Sequence, residues 1–138
     1  MNGMGVSYSK LPGGDIEGAS FVKLDTANPG RVLQCGSGDV VYGISQIESR
    51  RIALDSYDTS LCGKLNDPAI NIYGPASPTG VLLRLGGTVT EGDYLKPDSS
   101  GFGITAGTDK DKYGARALVS GVSGQYIPVE VIIGERSS

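Results

Sequence analysis

The stretch Ile127-Pro128-Val129-Glu130-Val131-Ile132-Ile133 sets Ile127, Val129, Val131 and Ile133 on one face and Pro128 and Glu130 on the other. A period of two is the mark of a strand with one buried face. Pro128 donates nothing to a ladder, which predicts a strand start or an edge position. Working outward, similar short runs recur at residues 19–24, 31–35, 40–45, 70–73, 81–85, 94–96, 102–105 and 115–119. Turn chemistry separates them. Asn28-Pro29-Gly30 suits a type II turn, with Pro fixing one central φ and Gly taking a positive φ at the next, and Gly36-Ser37-Gly38-Asp39 makes another turn.

Glycine supplies 22 of 138 residues, roughly twice its usual share of about 7%. Glycine in a strand interior loses more backbone freedom than other residues, so this usage implies many short strands joined by tight turns. No long helical period is present; residues 47–54 (IESRRIAL) read as loop with a short helix possible. The expectation is one all-β domain from residue 18 to 138, a small β-barrel or β-sandwich. Residues 1–17, with Pro12 and four of the first fourteen residues glycine, are expected to form an extended flexible arm.

Two halves of the domain echo each other. Phe21-Val22-Lys23-Leu24-Asp25 answers Tyr94-Leu95-Lys96-Pro97-Asp98 at an offset of 96 − 23 = 73, and Tyr42-Gly43-Ile44 answers Tyr113-Gly114-Ala115 at 114 − 43 = 71. Ile70-Asn71-Ile72-Tyr73 then answers Val129-Glu130-Val131-Ile132. Two degenerate repeats, 18–80 and 81–138, are expected, the first carrying an insertion of about twelve residues within 46–66.

The chemistry excluded is as informative. The net charge is −3 and no basic stripe exists, whereas nucleic-acid binding requires clustered Lys and Arg. No run approaches the roughly 18 apolar residues of a membrane span, and residues 1–20 lack a secretory apolar core, so cytoplasmic synthesis is expected. With no His in the chain, His-based nucleophilic sites are excluded, and two isolated cysteines make a poor metal site. Cys35 and Cys62 read as reduced, buried small hydrophobes. Asp109-Lys110-Asp111 opens like a calcium loop but breaks at Tyr113 and at Ser120, where a bidentate Glu would be needed. Asp55-Ser56-Tyr57-Asp58 superficially matches a dUTPase-type site without the accompanying Gly-rich motif. No enzyme, no metal and no cofactor are expected.

The segment from Gly86 to Gly101 reads G-x-x-V-x-x-G-D-x-L-x-x-D-x-x-G through Gly86, Val89, Gly92, Asp93, Leu95, Asp98 and Gly101, followed by Gly114, Ala117 and Leu118 before the closing apolar strand. In this it resembles phage capsid cement, or head-decoration, proteins. The resemblance implies a β-tulip-like fold, a homotrimer, and a virion protein on the outer capsid surface that bridges major capsid proteins and stabilises the head, with the motif residues in structural roles. Nucleic acid and membrane would not be partners. The N-terminal arm, with Tyr8, Lys10 and Leu11, is the expected capsid-contact segment. A glycan-binding β module using Tyr57, Tyr73 and Tyr126 is the alternative.

Overall fold

The computed structural model describes residues 7–45, 61–63, 65, 70–74, 80–107 and 110–135, and the side chains of Ser7–Ser9 and of Leu61 and Cys62 are left aside. The described residues form no helix and twelve strands. These are β1 (Ser7–Pro12), β2 (Ile16–Glu17), β3 (Phe21–Leu24), β4 (Arg31–Gln34), β5 (Gly43–Ser45), β6 (Leu61–Gly63), β7 (Ile70–Tyr73), β8 (Val81–Arg84), β9 (Tyr94–Pro97), β10 (Gly103–Thr105), β11 (Lys112–Ala117) and β12 (Tyr126–Glu135). The fold is all-β, as expected. Strands β1-β4-β3-β5-β7 close a barrel, β10-β9-β11-β12-β8 form a second sheet, and β2 pairs with β6.

Both strand sets follow one pairing plan. β3 pairs with β4 and β5, and β5 with β7; likewise β9 pairs with β10 and β11, and β11 with β12. β1 lies antiparallel to β7 and parallel to β4; β8 lies antiparallel to β12 and reaches β10 through the parallel bridge Leu85–Gly103. The hairpins share register: Val22–Gln34, Lys23–Leu33 and Leu24–Val32 in the first, Leu95–Thr105, Lys96–Ile104 and Pro97–Gly103 in the second. Hydrogen bonds beyond the ladders match too. Cys35 N donates to Phe21 O as Ala106 N does to Tyr94 O, and Ser45 N to Ser20 O as Ala117 N does to Asp93 O. The Ile16–Gly63 pair corresponds to the Val89–Gly121 bridge. Even the backbone strain is parallel: Ala19 takes φ +55° where the second set has Gly92 at +92°.

Burial divides in two. Ile16, Val22, Val32, Ile70 and Ile72, with Tyr42 against them, make one cluster. A larger cluster joins Phe21, Cys35, Val41 and Ile44 of the first set to the inward side chains of the second, among them Leu83, Leu85, Leu95 and Val129. Val22 and Phe21, adjacent on β3, therefore enter different cores, as strand alternation requires. Close approach fixes the contact: a Cβ on Gly114 would lie 2.6 Å from Val41 Cγ1 and 2.8 Å from Phe21 Cε1. Two backbone bonds stitch the sets together, Phe21 N to Gly101 O and Arg84 N to Ala19 O, both 2.8 Å.

Three expectations change. Residues 7–17 are not a flexible arm: β1 closes the barrel and β2 pairs with β6, while residues 1–6 lie outside the description. Part of the expected insertion, Leu61–Gly63, is a strand, whereas 46–60, with the possible helical turn at 47–54, lies outside the described residues. Pro128 sits inside β12 rather than at its start. The paired register with β11 ends at Ala117–Val129, and beyond it Pro128 only accepts, from Leu118 N at 3.2 Å, so no rung there requires a proline N–H.

Candidate functional site

The residues of the Gly86–Gly101 pattern build two turns and their plug. At the first turn Asp93 N donates to Thr90 O, and Asp93 Oδ2 accepts from Thr90 N at 2.9 Å and from Thr105 Oγ1 at 3.1 Å. Gly92 takes the positive φ. At the second, Asp98 Oδ1 accepts from Ser100 N at 2.8 Å and Phe102 N at 3.0 Å, Gly101 takes φ +85°, and a Cβ on Gly86 would run into the Asp98 carboxylate. Leu95 and Val89 are buried in the larger core, as is Ala117, and half-buried Leu118 donates its N–H to Pro128 O. Each motif residue closes a turn or fills the core; none is aimed at a cleft.

Of the expected contact segment, Lys10 pairs with Ile70 and holds its Nζ 5.7 Å above the Tyr42 ring, and Leu11 is 45% exposed. Tyr8 pairs with Ile72 through its backbone. Of the three tyrosines suggested for glycan binding, Tyr73 packs on the larger core and Tyr126 stands on β12, while Tyr57 lies outside the described residues, as does Asp55–Asp58.

Lys23 Nζ and Asp39 Oδ2 are 2.9 Å apart, and Gly36 N donates to the same oxygen. The Lys23 hydrogen bond, then that from Gly36, holds the Asp39 carboxyl below its ordinary range, and the same Asp39 bond raises Lys23. Lys23, Leu24, Leu33, Val40 and Tyr42 line an open groove. Burial pushes the Cys35 thiol up to about 12, which leaves it a neutral packing group. Among the described residues no group of three His, Cys, Asp or Glu side chains is placed to hold a metal ion, and no helix is long and apolar enough to cross a membrane.

Sequence reading missed a cluster on the outward side of the second sheet. Arg84 lies with its guanidinium carbon 4.6 Å from the Phe102 ring centroid and 6.0 Å from that of Tyr126. Its Nε is buried with no hydrogen-bond partner among the described residues. The available signal was alternation: in Leu83-Arg84-Leu85, Arg84 must face away from two buried leucines.

No protein-family model and no curated protein sequence matches the chain. A solved structure does match in fold: the head fiber gp8.5 N base in bacteriophage phi29 superposes with a TM-score of 0.67 over 94% of this chain and 95% of that one, at 11% identity. The two chains thus share a β fold along almost their whole lengths.

Proposed function

We propose that this chain is a structural protein of a phage head, without enzymatic activity, that docks on the outer capsid surface, bridges neighbouring major capsid proteins and stabilises the shell. The observation that carries this reading is the end-to-end fold match with the base of a phage head fiber. The motif residues support it by being turn-formers and core plugs rather than reactive groups. The shared pairing plan supports a chain built from two copies of one five-stranded unit. A homotrimer, attached to the major capsid protein alone, is the assembly this reading assigns.

The test is co-sedimentation of the purified chain with undecorated expanded heads built from the major capsid protein of its own phage, with its mass measured by light scattering. Saturable binding and a trimer mass are expected. A protein left in the supernatant at micromolar concentration overturns the reading; if that protein also binds a glycan array, it is a carbohydrate-binding module.

A further inference from the structure

The Arg84 cluster has the composition of a binding hot spot, where Arg and aromatic side chains carry most of the energy. Tyr126 is directly opposite Arg84 in register, so both project to the same side of the sheet. Leu82, two residues back on β8 and opposite Pro128, continues the row. Leu82 and Tyr126 are 40% and 43% exposed, and Val122, in the turn leading into β12, is half exposed. Apolar area of this kind in a continuous row is what a partner surface removes from water.

Charge says which partner. The chain carries 15 acidic and 12 basic residues, yet among the described residues no carboxylate pairs with Arg84. Lys23 and Lys96, by contrast, hold Asp39 and Asp111 at 2.9 and 3.1 Å. Arg84 is instead pinned on Phe102, its Nε sealed from water and without an acceptor. A guanidinium already stacked on a ring loses less conformational freedom on binding, and a carboxylate is the acceptor its planar fork fits. With Nε sealed, that carboxylate must approach the Nη edge.

We propose that the outward face of the second sheet around Arg84 is the docking surface of this protein, and that Arg84, seated on Phe102 beside Tyr126, receives an Asp or Glu side chain of the major capsid protein. The identity of that partner rests on the head-binding reading above; the carboxylate chemistry rests on Arg84 itself.

The test measures binding of the full chain to the same undecorated heads, comparing the wild type with Arg84→Gln, Arg84→Lys and, on β4 of the barrel, Arg31→Gln. Arg84→Gln is expected to weaken binding at least tenfold. Arg84→Lys, which keeps the charge but not the planar fork, should recover only part of it, and Arg31→Gln should bind within twofold of wild type. Thermal melts of each variant separate lost binding from lost folding. Should Arg84→Gln disturb the fold, Tyr126→Ser, at an exposed position, serves in its place and should weaken binding at least threefold. Wild-type binding with Arg84→Gln or its substitute unchanged overturns the docking face and leaves the head-binding reading intact. Absence of wild-type binding overturns the head-binding reading, and with it the partner assigned here.

Discussion

Replacing Gln34 by Leu should be among the costliest single changes to a side chain that is not wholly buried. Its amide joins three segments: Oε1 accepts from Glu17 N at 2.7 Å, and Nε2 donates to Ser20 Oγ at 2.6 Å and to Phe21 O at 3.0 Å. These partners fix the amide orientation, because one is a donor and one a carbonyl. Leucine keeps much of the volume and removes all three bonds. Phe21 O still accepts from Cys35 N, and Ser20 Oγ still donates to Glu17 O, while the Glu17 N–H loses its Gln34 acceptor. At about 1 kcal/mol for each of the three bonds, the loss is about 2–4 kcal/mol. For a chain of this length that lowers Tm by roughly 10 °C. Thermal and urea unfolding followed by circular dichroism measure it, with the urea midpoint lowered and the slope unchanged. Ser20→Ala removes two bonds, from Gln34 Nε2 and to Glu17 O, and should cost about 2 kcal/mol, because Gln34 keeps two partners and Glu17 O still accepts from Ser45 Oγ. The double variant should cost less than the sum, since the two share one network. A Gln34→Leu protein melting within 2 °C of wild type would refute the claim that this amide ties β2, β3 and β4 together.

Gly114→Ala places a methyl against Val41 and Phe21 and should cost about 1–3 kcal/mol by overpacking, read as a lower urea midpoint. Gly92→Ala meets no atom, yet its φ of +92° should cost about 1–2 kcal/mol in the same assay, separating backbone strain from crowding. Cys35, neutral because burial raises its thiol, should resist iodoacetamide at pH 8 in the folded protein and react on unfolding, as peptide mass spectrometry resolves. Asp39 has a lowered folded pKa, so its contribution is present above its ordinary 3.8 and lost as pH falls through the folded value. Asp39→Asn should therefore melt slightly below wild type at pH 7, by under about 1 kcal/mol for a pair this exposed, and the two melts should converge near pH 2.

The strands legible in the sequence are those whose burial is written in their own alternation. Ile127, Val129 and Val131 are buried as the pattern demands, and Gly30 takes the positive φ that Asn28-Pro29-Gly30 requires. β1 was not legible, because Ser7–Pro12 has no alternation and owes its strand state to distant partners. Leu11 pairs with Arg31, 31 − 11 = 20 residues on, and Lys10 with Ile70, 70 − 10 = 60 residues on. Barrel closure is a non-local fact that a local pattern does not carry. β2 and β6 were missed for a related reason: each has two or three residues, too few for a period to show. Arg84 was missed because an aromatic seat is a property of three segments, β8, the residue before β10 and the start of β12, that meet only in the fold.

The differences between the two strand sets say more about function than their likeness does. Phe21 and Tyr94 occupy matching places, each accepting a backbone bond from the residue that follows the next strand in the pair (Cys35 and Ala106). Phe21 is fully buried against Val41 and the second set, where a hydroxyl would have no water and would need a partner of its own. Tyr94 is half-buried and stacks on Tyr113 at 4.6 Å, beside the Lys96–Asp111 ion pair. The face that the first set uses to hold the second is therefore left open on the second, and there the side chains are amphipathic: tyrosine for phenylalanine, with an ion pair alongside. An open face of aromatic and charged residues tolerates water in the free protein and still offers area to a partner. The barrel's equivalent face has no such freedom, because the protein itself already covers it. The docking surface proposed above lies on this second set, whose outward side also carries Arg84.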